Sequence, residues 1–225
     1  MTALVLSVVS SRATAVRSSE FPVERLQPTM SVSNASNLTP QEVKKISAGV
    51  VAGGATPHVV KFPTISLTAQ TRAGKDMFRL GKGWRIPMAT MVASSTFVRA
   101  IGGDAMADIV ARGQVLMGET SAKVRGAQVG DVLLLRDRKF WMRPFTIGAI
   151  VADEFVNSGD LFMSSSAAAL LGGMPVSQIA ITDIVSPSSV LSGLKKKGIT
   201  IGTEFRLRTS WDRKNPDGTL GTATT

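Results

Sequence analysis

GQVLMGETSAKVRGAQVGDVLLLRDRKFWMRPFTIGAIVADEFVNSGDLFMSSSAAALLGG, residues 113–173, is the stretch whose pattern decides the fold. Val115-Leu116-Met117 is a short apolar strand, and Glu119 to Val124 predicts a helix that Gly126 stops. Val129-Gly130-Asp131 turns the chain into Val132–Leu135, an uninterrupted apolar run of the kind found in buried strands. Phe145, Ile147, Ala149 and Val151 then alternate as a further strand. Leu161-Phe162-Met163 precedes a serine-capped helix, Ala167–Leu171, ending in Gly172-Gly173. Strands and short helices follow one another, with no residue pattern that carries chemistry.

The same alternation extends on both sides. Pro22 and Pro28 followed by Met30 and Val32 predict an extended opening segment from Phe21 to Ser33. Thr39-Pro40-Gln41-Glu42 is a capping box with proline at the first helical position, flanked by Leu38 and Val43 as a hydrophobic staple. The helix it starts runs to Gly53-Gly54. Val59-Val60 and the alternating Ile65, Leu67 and Ala69 predict strands, with Pro63 placing the second at a sheet edge. Gly81-Lys82-Gly83-Trp84 is a loop, and Ser94-Ser95 cap a helix through Phe97, Val98 and Ile101 to Gly102-Gly103. Beyond Ile179–Ile184, a short helix from about Pro187 ends near Lys195-Lys196-Lys197, where cations suit the dipole. Ile199, Ile201, Phe205 and Leu207 make a last strand, and the polar residues after Ser210 read as a linker. The expectation is an α+β fold, mixed sheets with short helices in two α/β subdomains. A partial anchor or signal-like segment occupies 1–20, the core 21–190, and a terminal strand with a tail 191–225.

Composition narrows the function classes. A chain of 225 residues with 44% hydrophobic content supports a full core. Its 26 lysines and arginines exceed its 16 acids by ten, which favours anionic surroundings. There is no tyrosine and no DNA-docking motif, so nucleic acid ranks below a membrane or wall surface. The absence of cysteine removes disulfides, thiol nucleophiles and thiolate metal sites. Met1–Ala15 contains an apolar run too short to cross a bilayer, which needs about 20 residues. It reads as the outer end of a transmembrane helix, with a weak signal peptide or a first strand as alternatives.

Candidate chemistry is thin. His58 is the only histidine and has no partners at ligand spacing, so it reads as a structural residue. Ser192-Gly193-Leu194-Lys195 matches Ser-x-x-Lys without the companion motifs of serine acyltransferases. Asp104 with Asp108, and Asp153 with Glu154, fit helix-capping and surface roles. Neither Gly81-Lys82-Gly83 nor Gly53-Gly54 completes a phosphate loop. No catalytic residue, metal or cofactor is implied. Trp84, Trp141 and Trp211 are the aromatics to follow. Arg138-Lys139-Phe140-Trp141-Met142-Arg143 forms a hairpin tip whose Arg138, Lys139, Trp141 and Arg143 are the candidate surface contact. The plainer alternative has Trp141 folded back, half-buried, over the strands.

The central stretch resembles the MacB-like periplasmic core domain of FtsX, LolC and MacB type ABC permeases. The family phrase Glu-x-x-Ala-x-x-x-Gly-x-x-x-Gly-Asp is met by Glu119, Ala122, Gly126, Gly130 and Asp131. Phe145-Thr146-Ile147-Gly148-Ala149-Ile150-Val151 and Leu161-Phe162-Met163 to Leu171-Gly172 follow in the family's order. The resemblance covers residues 21–190 and its motifs are packing and turn motifs. It implies an extracytoplasmic, membrane-anchored domain that binds or relays motion, with a cell-envelope protein or wall polymer as partner. The permeases' downstream transmembrane helices and ATPase are not in this sequence. Thr209–Arg213 with Pro216–Gly221 resembles a junction to a further domain, as in cell-wall peptidases whose zinc domain follows. In that second reading the chain is the accessory part of a peptidoglycan hydrolase.

Overall fold

The structure is a computed structural model that describes residues 29–202, 204–210, 213–214 and 220–221. The expected anchor over 1–20, the proline-rich start of the opening segment, Trp211 and most of the tail lie outside the described residues. Among the described residues no helix is long and apolar enough to cross a membrane.

The fold is α+β with mixed sheets. Strand β1 (Thr29–Leu38) leads into helix α1 (Pro40–Ala52), opened by the expected capping box: the Glu42 N–H donates to Thr39, and the Thr39 N–H to Glu42. Strand β2 (Thr56–Val60) follows. Much later β10 (Val176–Thr182), helix α6 (Pro187–Lys196) and β11 (Arg206–Ser210) repeat the strand-helix-strand pattern. The two repeats interlock as β11-β1-β10-β2, every neighbour antiparallel. The crossover through α1 sets β1 and β2 parallel with one strand position between them, which β10 fills; this is the split βαβ arrangement. Met30, Val32, Ile179 and Ile181 point to the face covered by α1 and α6, where Ile46, Val50, Val190 and Leu194 complete one core. The chain after residue 191 thus returns into the first sheet through β11. Of the apolar residues expected in the last strand, Ile199 and Phe205 are buried in the turns before β11.

Residues 61–175 form a second unit inserted between β2 and β10. Its strands are β3 (Thr64–Arg72), β4 (Lys75–Arg79), β5 (Ile86–Ala93), β6 (Val115–Gly118), β7 (Val132–Arg136), β8 (Met142–Val151) and β9 (Leu161–Ser164). They order as β4-β3-β5-β9-β6-β8-β7, and β7 pairs back onto β3. One edge of β3 takes β5 and then β4; the other takes β7, so the sheet closes into a barrel of β3, β5, β9, β6, β8 and β7. Closure requires bent strands, and bulges supply the bends. The β3–β7 register shifts between Leu67 and Ala69, where Thr68 donates to the Leu134 carbonyl at 2.9 Å. The β6–β8 register shifts around Gly148, whose missing side chain makes room for Ile109; a Cβ there would lie 2.3 Å from Ile109 Cγ2.

Ile65, Leu67, Met88, Leu133, Leu135, Phe145, Ile147 and Leu161 belong to the core that fills the barrel. Helix α4 (Glu119–Arg125) packs on β6 and β8, and α5 (Ser165–Ala169) on β9 and β5. Outside the wall, α2 (Ser95–Gly102) and α3 (Asp104–Ala111) pack Phe97, Ile101, Met106 and Val110 on Met91, Leu116, Val151 and Phe162. Val60 and Ala180 of the first sheet join this cluster, so it is also the seam between the two units.

Three expectations change. Strand β3 is not at a sheet edge, because Pro63 lies just before it and costs no ladder hydrogen bond. Its carbonyl instead accepts from the Thr90 N–H at 3.0 Å. The apolar run Val132–Leu135 is not buried on both faces: Leu133 and Leu135 point inward, while Val132 and Leu134 are half-buried on the outer wall. Strands β4 and β5 and helix α3 are additions. Gly103, at φ 84, ends α2 and lets α3 start at the next residue, so the Gly-Gly stop is a hinge between two short helices.

Candidate functional site

The chemistry candidates are accounted for structurally. Arg99 pairs with Asp104 at 2.7 Å on the exposed face of α2 and α3. Asp153 accepts from the Thr120 N–H at 3.1 Å and from its hydroxyl, capping the start of α4. Ser192 and Lys195 are both exposed. Trp84 is exposed in the β4–β5 loop. Among the described residues no three histidine, aspartate or glutamate side chains group as a metal site.

His58 is buried at the seam. Its Nε2 lies 2.8 Å from Thr182 Oγ1 and its ring centroid 5.2 Å from that of Phe97. Burial pushes its pKa below the ordinary histidine value, against a weaker upward pull from Asp183. A histidine held neutral in the folded state takes up a proton more readily when unfolded, so stability falls as pH drops below about 6.5 towards the folded value. Melting temperature followed across that window is expected to show this slope in the wild type and a flatter one in His58→Gln.

The residues of the family-like phrase build one end of the barrel. Glu119 opens α4, Ala122 faces the core, and Gly126 ends the helix in the left-handed region at φ 58. Gly130, at φ 93, turns the chain so that Asp131 faces inward. Asp131 is buried and accepts from Arg72 Nε at 2.8 Å, Arg72 NH2 at 2.9 Å, Gln70 at 2.8 Å and the Gln128 N–H at 3.0 Å. It is the polar hub tying β3 to the turn before β7.

At the opposite end of β7 stands the hairpin. Strands β7 and β8 pair as far as Arg136 with Met142, leaving Asp137–Trp141 as the closing loop. Asp137 N–H donates to the Trp141 carbonyl at 2.9 Å, and Phe140 N–H to the Asp137 carbonyl at 3.0 Å. The Asp137 carboxylate accepts from the N–H groups of Lys139 and Trp141 at 2.8 and 2.9 Å, and from Arg143 Nε at 3.2 Å. Burial pushes this carboxyl up, but the two N–H groups and the guanidinium outweigh it and hold the pKa below the usual range. The one acid of the tip is therefore ionised and consumed within the loop.

What the loop presents is apolar and cationic. Phe140, Trp141 and Met142 are 72%, 66% and 54% exposed, so Trp141 is not folded back over the strands. Arg136 stacks on Phe140 with 4.8 Å from Cζ to the ring centroid. The stem of Arg138 runs beside Gly172, where a Cβ would lie 3.0 Å from Arg138 Cδ, bringing the hairpin next to exposed Leu170. Arg138, Lys139, Trp141 and Arg143 thus share one tip. Phe140, Met142, Arg136 and Asp137 belong with them; the signal is an aspartate opening a tight loop followed by three consecutive apolar residues.

No protein-family model and no curated protein matches the chain. Among solved structures, a domain of a candidate permease protein from Porphyromonas gingivalis is similar at 16% identity, over 84% of this chain and 91% of that one. The TM-score is 0.41.

Proposed function

We propose that the chain is an extracytoplasmic, membrane-anchored core domain of the MacB-like kind, which works by binding and mechanical coupling rather than by chemistry. The observation that carries this reading is how the family-like residues are spent. Gly126, Gly130, Asp131 and Gly148 close and cap a barrel, and that barrel is inserted into a split βαβ sheet. Two short connections, residues 61–63 and 170–175, join the units, and a packed apolar seam lies beside them. A body held at two covalent points and one packed face transmits displacement instead of absorbing it in a linker. The partner is a cell-envelope protein or a wall polymer; the excess of basic residues suits an anionic polymer.

The test is protease accessibility of the chain expressed from its own gene with the flanking coding sequence, in intact cells and in cells stripped of their wall. Membrane association with digestion only from the outer side is the expected result. A freely soluble, cytosolic product overturns the reading.

A further inference from the structure

We infer that the tip of the β7–β8 hairpin is an insertion site for anionic lipid bilayers. The inference stands on the hairpin alone and fails or holds separately from the permease-type reading.

Three observations converge. First, Phe140 and Trp141 stand exposed on the closing loop and Met142 at the start of β8 beside it, and aromatic rings on such a hairpin tip suit the headgroup level of a bilayer. Second, the tip carries four cations, Arg136, Arg138, Lys139 and Arg143, and one acid, Asp137, which Arg143 pairs, leaving three net positive charges beside those apolar groups. Their long stems let the charges stay with headgroup phosphates while the rings go deeper. Third, Phe140 sits at φ 67, in the left-handed region. This loop position normally takes glycine or asparagine, and a bulky side chain there is strained. Although Arg136 stacks on it, the strained Phe140 ring remains 72% exposed, which leaves most of it open to use outside the fold. A protein partner fits less well, since a stable interface needs about 800 Å² from each side, far more than three side chains on a hairpin tip supply.

The experiment uses the full chain with Trp84→Phe and Trp211→Phe, so that emission reports Trp141. It is mixed with sucrose-loaded vesicles of equal parts phosphatidylcholine and phosphatidylglycerol, or of phosphatidylcholine alone. Expected are sedimentation with the anionic vesicles and a blue shift of Trp141 emission, quenched by brominated acyl chains. Arg138→Gln with Lys139→Gln lowers partitioning roughly 30-fold, at about 1 kcal/mol per cation near an anionic surface. Phe140→Gly weakens partitioning while the melting temperature stays level or rises, a split that a purely structural phenylalanine does not give. The inference is overturned by failure to sediment, by equal capture on neutral vesicles, or by wild-type partitioning of the double glutamine variant. Sedimentation with unshifted Trp141 emission overturns it too, since another face then binds. Capture of a soluble protein or nucleic acid at the tip without vesicle binding does the same.

Discussion

Asp131→Ala is expected to destabilise the chain by about 3 kcal/mol, measured as a fall in the urea midpoint at unchanged slope. Among the described residues the carboxylate is the only acceptor of the Gln70 amide, and it takes both an Nε and a terminal nitrogen of Arg72. Removing it strands Gln70, which is fully buried and whose own carbonyl oxygen already lacks a partner. An unsatisfied buried donor costs its desolvation in full. Arg72 is a third exposed and also reaches the Gly126 carbonyl, so its charge turns partly to water, which keeps the effect at the low end for a broken buried pair. Asp131→Asn retains some of the acceptors and is expected to cost less.

The same site sets an acid response. Burial raises the Asp131 pKa, but Arg72, the Gln128 N–H and Gln70 overcome it, and the carboxyl lies below its ordinary value. For a depressed acid the contribution is complete above the unfolded value, about 3.9, and is lost as pH falls through the folded one. Stability below about pH 4 therefore declines less steeply in Asp131→Asn than in the wild type.

Gly193→Ala is the second large effect, about 3 kcal/mol, at the upper end for overpacking. Helices α1 and α6 touch through glycines. A Cβ on Gly193 would lie 2.3 Å from the Gly49 carbonyl oxygen and 2.5 Å from the Gly53 nitrogen. Seen from the other side, a Cβ on Gly53 would lie 2.8 Å from the Ser189 oxygen and from Val190 Cα. All these neighbours are backbone, so no side chain can rotate away and the helices must separate. That separation opens the core of Ile46, Val50, Val190 and Leu194. Thermal unfolding reads it as a drop of about 2–4 °C per kcal/mol in a chain of this size. Ser192→Ala, one residue away but exposed, is expected to stay within about 0.5 kcal/mol.

The hairpin shows how far the residues alone reach. Arg138, Lys139, Trp141 and Arg143 were legible as a group because cations and an aromatic crowd a turn between two apolar runs. The exposure of Trp141 was not legible: whether an amphipathic ring folds back or stands out depends on the loop that holds it. Here the Asp137 carboxylate gathers the Lys139 and Trp141 N–H groups, and Phe140 takes a left-handed backbone. No side-chain pattern announces that conformation at a phenylalanine.

Local signals were strong enough to set local structure. The Thr39–Glu42 capping box, the stop at Gly126 and the serine caps at Ser94 and Ser164 place their helices, because each satisfies backbone groups within a few residues of itself. Strand β5 escaped because Pro87 and an apolar run interrupted only by Thr90 hide its alternation, and α3 because two glycines mimic a final stop. Closure of the barrel by β3 and β7, the return of β11 to β1 and the burial of His58 against Phe97 were decided only in three dimensions. These join residues far apart in the chain, and their energy comes from surfaces that exist only once both partners have folded.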